Sequence, residues 1–143
     1  MFHKIDWREC NLKKLVKSVT ADENIINSLI ESSSANLEVA KSIKQSDLSY
    51  SSIVVLAYDS LRMLLEALFL KNSYKIYSHE CYTPFLKEIL NKEDLAVKFD
   101  PIRLIRNSIN YYGKRLNKNE FYLVYNDILF LIPIIKKLIL KNE

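Results

Sequence analysis

Glycine is almost absent from this chain: there is one, Gly113, in 143 residues, and only three prolines. Folds built on tight β-hairpins need residues at positive φ in their turns, and glycine is the usual choice. The shortage excludes a turn-rich all-β domain and points to long helices. Cysteine is scarce too, with Cys10 and Cys81 as the only two. They form no CxxC motif and there are no paired histidines beside them, so spacing builds no zinc site. A reduced, cytoplasmic protein without metal or cofactor is the simplest expectation. Long apolar runs are also missing. The longest, "ILFLIPII" over 128–135, is too short to span a bilayer and is followed by Lys136 and Lys137, so no membrane association is expected. "MFHKIDWREC" at the start has no apolar core and does not read as a signal peptide. Neither sign of charge dominates. The net charge of +4 is compatible with a nucleic-acid surface, but it speaks to association rather than fold.

What is present is ordinary for a globular domain: 49% apolar and 27% charged residues, in a length suited to one core. Residues 1–143 read as one domain, with 1–19 as an N-terminal extension carrying a short helix over "NLKKLVKSV", behind Asn11. "TADE" offers a capping box, with Thr20 as N-cap and Glu23 three residues on. Behind it Ile26, Leu29, Ile30, Leu37, Ala40 and Ile43 recur at helical spacing, which predicts a helix over about 21–45. The triplet Ser32 to Ser34 weakens that helix locally, although small side chains permit close helix approach. After Asp47 comes "SIVVLAYDSLRMLLEALFLK", apolar almost all round, with Asp59, Arg62 and Glu66 as exceptions; such a helix belongs at the centre of a core.

A third element follows in "HECYTPFLKEIL", with Thr83 and Pro84 placed as N-cap and first helical residue. A fourth helix runs from Leu95 or Asp100 to Tyr112. Ile102, Ile105, Ile109 and Tyr112 form its inward stripe, and Arg103, Asn107, Asn110 and Lys114 share the opposite face. Gly113 suits its C-cap. A last helix spans about 119–140 and is bent at Pro133. The expectation is an all-α, up-and-down bundle of four to five helices.

"SYSSIVVLAYDSLRMLLEALFLKNSYKIYSHECYTPFL", followed by "PIRLIRNSINYYGKRL", resembles the HEPN domain family in the order and spacing of its motifs. The resemblance covers about 20–140. It implies a homodimer, and many members are metal-independent ribonucleases acting as toxins or defence effectors. Their Arg-x(4–6)-His motifs face each other across the dimer cleft. For many short stand-alone members the resemblance implies a nucleotidyltransferase partner.

The chemistry accounts for those residue types. Attack by a ribose 2′-OH needs a base, which histidine supplies near neutral pH, and arginine's fork fits the phosphate. Here Arg106 and Asn107 match the motif, but after four intervening residues comes Tyr111 instead of histidine. A phenol of pKa about 10 is a poor proton acceptor at pH 7. Losing such a group costs about 10²–10⁴ in rate.

The candidate catalytic residues are therefore Arg106, Asn107 and Tyr111, in a degenerate Arg-x4-Tyr motif. Arg103, Asn110, Lys114, Asp59, Glu66 and His79 are the binding candidates. Asp59, Arg62 and Glu66 must reach the bundle edge, pair with one another, or meet Arg103 and Arg106. His79 stands in for the missing histidine only if folding carries it to the cleft. Three functions are expected, in order: a dimer binding RNA or nucleotide in a toxin–antitoxin or defence role, without robust nuclease activity; a metal-independent ribonuclease; and a non-catalytic helical interaction module.

Overall fold

The computed structural model describes residues 4–141; the first three residues of "MFHKIDWREC" lie outside them. The molecule is mostly helical, 74% by residue, and all-α in class. Its centre is α3, Tyr50–Lys71. Thirteen of its residues are buried, from Tyr50 to Leu70, because its apolar side chains cover nearly the whole circumference. Around α3 pack α2 (Glu23–Ser42), α5 (Glu93–Tyr112) and α6 (Lys118–Leu140).

Each long helix starts or stops where local chemistry dictates. The N-cap of α2 is Asp22, not Thr20: its Oδ1 accepts from the backbone N–H of Asn24 at 3.0 Å and of Ile25 at 3.3 Å. A carboxylate satisfies two orphan donors and also suits the positive end of the helix dipole. α6 opens on an Asn117–Glu120 capping box. α5 ends at Gly113, whose φ of 64° lies in the left-handed region that glycine tolerates best.

The serine triplet proves to be a packing device. Ser33 and Ser60 are buried, and each hydroxyl donates to the other residue's carbonyl, at 2.7 Å and 2.8 Å. Two small residues facing each other let the α2 and α3 backbones come close while every polar atom stays satisfied.

The expected short helix over "NLKKLVKSV" is misplaced. α1 is Trp7–Leu12, opened by an Asp6–Glu9 capping box. Lys14 then takes a positive φ of 59°, which breaks the helix. Val16–Ser18 (β1) pairs antiparallel with Tyr74–Ile76 (β2), with Val16 opposite Ile76 and Ser18 opposite Tyr74. This small ribbon holds the N-terminal arm against the turn after α3. Trp7 adds edge-on contacts to Tyr74 and Phe85, with centroids 5.5 and 5.2 Å away.

Thr83 and Pro84 do not start a helix. They sit inside a continuous coil of a 3₁₀ turn (His79–Cys81), a single α turn (α4, Tyr82–Pro84) and a π turn (Phe85–Ile89). Thr83 is instead spent on α5, where its hydroxyl donates to Asp100 Oδ1 at 2.9 Å. The inward stripe of α5 holds for Ile102, Ile105 and Ile109 but not for Tyr112, which is 85% exposed. Tyr112 is the last residue of the helix, beyond the body that packs against it.

The expectation of two reduced cysteines is overturned: Cys10 and Cys81 form a disulfide, buried at both ends. Separation of 71 positions in sequence hid a contact that the β1–β2 ribbon makes inevitable, because it lays α1 on the corner carrying Cys81. Among the described residues, no helix is long and apolar enough to cross a membrane.

Closing so long a loop restricts the unfolded chain. Replacing both cysteines by alanine is expected to cost about 2–5 kcal/mol of stability. Denaturant unfolding of wild type with and without dithiothreitol, beside the double variant, checks this. An unchanged midpoint would show that the ribbon and Trp7 hold the arm alone.

Candidate anion-binding site

The polar residues of α3 recur at 59, 62 and 66, so one side of an otherwise apolar helix carries two carboxylates and a guanidinium. A charge at that depth is tolerated only when paired. Arg62 forms an ion pair with Glu66 and sits 3.7 Å from Asp59 Oδ1. Lys75, from β2, reaches Glu66 at 3.4 Å.

α5 brings the other half. Asp100, Arg103 and Arg106 follow at intervals of three, which keeps them on one side of the helix. Asp100 is buried and fully engaged: Arg103 donates to its Oδ1 through Nε at 3.1 Å, and Thr83 donates to the same oxygen. Lys4 lies 3.8 Å from Oδ2.

Arg106 differs. Its side chain is only 16% exposed, and its nearest carboxylate, Asp59, stands 4.0 Å from Nη2. That is an ion pair but too long for a hydrogen bond. The guanidinium lies over the Tyr58 ring, 5.7 Å from its centroid. Among the described residues its Nε and Nη1 are buried with no acceptor. Buried donors left unmade are costly, more so on a charged group.

The corner adds His79. Its Nδ1 meets the Tyr58 hydroxyl at 3.1 Å, and its ring tilts against Tyr82, 5.0 Å between centroids. Burial, and then the neighbouring Arg62, push the His79 pKa below its ordinary value of 6.5, so the ring is neutral at pH 7. Burial raises both the Tyr58 and Tyr82 hydroxyls well above the usual phenol value, so neither ionises in the physiological range.

Of the residues proposed from sequence, Asp59, Glu66, His79 and Arg106 thus lie in one polar region between α3, α5 and the corner, while Arg103 belongs to a neighbouring cluster with Asp100 and Thr83. Asn107 is half-buried beside Arg106. Tyr111 is 74% exposed and Asn110 is exposed, both on the last turn of α5. Lys114 lies past the helix end, where it pairs with Glu120 at 3.0 Å.

Sequence reasoning missed Tyr58, Tyr82, Thr83 and Asp100. Asp100 carried a usable signal, an acid three residues before Arg103. Tyr58 and Tyr82 carried none, since a tyrosine in an apolar helix looks like any core aromatic. No cluster of three or more histidine, cysteine or acidic side chains among the described residues suits a metal ion. The arrangement therefore leaves two buried N–H groups on different edges of one guanidinium without acceptors, beside a neutral imidazole. No family model, curated protein or solved structure matches this chain.

The depressed His79 pKa fixes the sign of a pH effect. Between the lower folded value and 6.5 the unfolded chain binds the extra proton, so stability present above pH 6.5 is lost as pH falls through that window. The groups facing the ring are Tyr58, Asp59, Arg62 and Glu66 on α3 and Arg106 on α5. Thermal unfolding at about pH 7.5 and 5.5 is expected to show a smaller drop for His79→Gln than for wild type. An equal drop would mean that other groups carry the whole effect.

Proposed function

We propose that this chain is a HEPN-like protein that acts as a homodimer and binds the phosphate of an RNA or nucleotide through Arg106, without robust nuclease activity. The observation that carries the reading is the pair of buried, unpaired N–H donors on Arg106. The guanidinium is held over Tyr58 at ion-pair distance from Asp59, and a phosphate oxygen reaching either free edge would satisfy a donor that now has no acceptor. The HEPN-like order of motifs, the replacement of histidine by Tyr111, and Tyr111's exposure support a binding role over cleavage.

Dimerisation is supported by the apolar surface that α5 leaves open at Leu104, Tyr111 and Tyr112. A toxin–antitoxin or defence setting, with a nucleotidyltransferase as partner, completes the proposal. A cytoplasmic place of action is the part that the Cys10–Cys81 bond argues against, since disulfides persist mainly in oxidising compartments.

One observation favours a second reading, a metal-independent ribonuclease. Folding brings His79 into the field of Arg106 and Asp59. In the tautomer whose Nδ1–H donates to the Tyr58 oxygen, Nε2 keeps its lone pair and can accept the 2′-OH proton.

Fluorescence anisotropy with a labelled oligouridylate, and ATP as competitor, tests the binding reading. Arg106→Ala is expected to weaken RNA or nucleotide binding by about ten- to a hundredfold, the worth of a charged hydrogen bond. Arg106→Lys restores little, because an ammonium lacks the fork. Light scattering is expected to show a dimer. Unchanged binding by Arg106→Ala, with the dimer lost in Tyr111→Phe, would leave a helical interaction module. Cleavage of the oligonucleotide in EDTA that disappears in His79→Gln would select the ribonuclease.

A further inference from the structure

Apart from the arginine site, a second feature lies at the start of α5 and the end of α3. Two adjoining open hollows, of about 390 and 540 Å³, share Lys92 and Leu138: the first lies between the start of α5 and the C-terminal half of α6, the second between the end of α3 and the end of α6. On the α6 wall Phe130, Ile134 and Leu138 recur every four residues, a stripe roughly 12 Å long. Leu95 of α5 and Leu68 and Leu90 complete an apolar floor.

Lysines ring it. Lys98 stands at one end, over the Phe130 ring at 4.8 Å, while Lys71 and Lys141 stand at the other, with Lys92 between. The lining holds four lysines against one acid, Asp94. Lys98 and Lys71 are partly neutralised, by Asp127 at 3.4 Å and Glu23 at 3.7 Å. Lys92 and Lys141 form no ion pair among the described residues.

We propose that this groove is a docking site for an amphipathic helix of a partner protein, with an apolar ridge and glutamate or aspartate along both flanks. Charge selects among the occupants. A second copy seated symmetrically would set the same lysines against each other, which repels. A fatty acid has one anionic end, whereas cations stand at both ends of this floor. A single-stranded nucleic acid that stacks its bases needs flat aromatic platforms. The floor is aliphatic apart from Phe130, whose face Lys98 already covers. A helix with side chains at i, i+4 and i+7 matches the spacing of the α6 stripe, and acidic flanks meet the lysines at either end.

The probe is a fluorescein-labelled peptide of about fourteen residues, with leucine at i, i+4, i+7 and i+11 and glutamate on both flanks. It is expected to bind saturably to the full chain. Lys92→Glu/Lys98→Glu and, separately, Phe130→Asp are expected to weaken it at least about tenfold, with helicity unchanged by circular dichroism. Lys13→Glu/Lys17→Glu makes the same charge change on the N-terminal arm and is expected to leave binding intact, as is Arg106→Ala. A peptide with glutamine in place of glutamate is expected to bind more weakly. No saturable binding overturns the proposal. So does binding indifferent to the groove variants, binding lost equally in the N-terminal control or in Arg106→Ala, or displacement by laurate or oligouridylate.

Discussion

Three charges on a helix that is otherwise buried set the terms for this molecule. Asp59, Arg62 and Glu66 cannot lie unpaired in a low-dielectric core, where the desolvation of each would outweigh what the helix gains by packing. They pair with one another along α3, and neighbouring elements add Lys75 from the turn after α3 and Arg106 from α5. The corner adds His79 on Tyr58 and, in a second cluster on α5, Thr83 on the Asp100 that holds Arg103. Approach of α5 and of the corner to α3 is thus specified by polar pairing as well as by apolar burial.

The pairing is uneven. Asp100 accepts from Arg103 and Thr83 and has Lys4 nearby, and Glu66 is shared by Arg62 and Lys75. Asp59 is left between Arg62 and Arg106 at distances too long for hydrogen bonds, and two Arg106 donors are left over. A network that existed only for stability would close on itself. This one leaves Asp59 in ion pairs alone and, among the described residues, two buried donors of one guanidinium without an acceptor that an anion would supply. The disulfide and the β1–β2 ribbon serve the same corner from outside, anchoring the segment that presents His79 two residues before Cys81.

The long helices were legible because their signals are local and repeated. The apolar circumference of α3, the capping box of α6 and the lone glycine after Tyr112 each act within a few residues. Of the alternatives read for the α3 charges, pairing with one another and a contact from Asp59 to Arg106 are both seen, whereas Arg103 turns to Asp100 on its own helix. What escaped was long-range or irregular. No local pattern shows that Cys10 meets Cys81, because the contact depends on a ribbon of two three-residue strands. The corner from His79 to Ile89 mixes three helical forms, so the single helix start read at Thr83 and Pro84 had no counterpart. Tyr111 and Tyr112 fit a helical stripe by spacing, but the helix runs past the body it packs on, and the last turn stands in solvent.

The central claim is that Arg106 is a guanidinium waiting for phosphate. Nitrogen-resolved NMR of the arginine Nε–H groups during titration with inorganic phosphate and with AMP tests it most directly. The account predicts that the Arg106 Nε–H resonance moves downfield and exchanges more slowly with water, while that of Arg103, already donating to Asp100, stays put. A titration in which Arg106 does not respond, or responds no more than its paired neighbours, would contradict it.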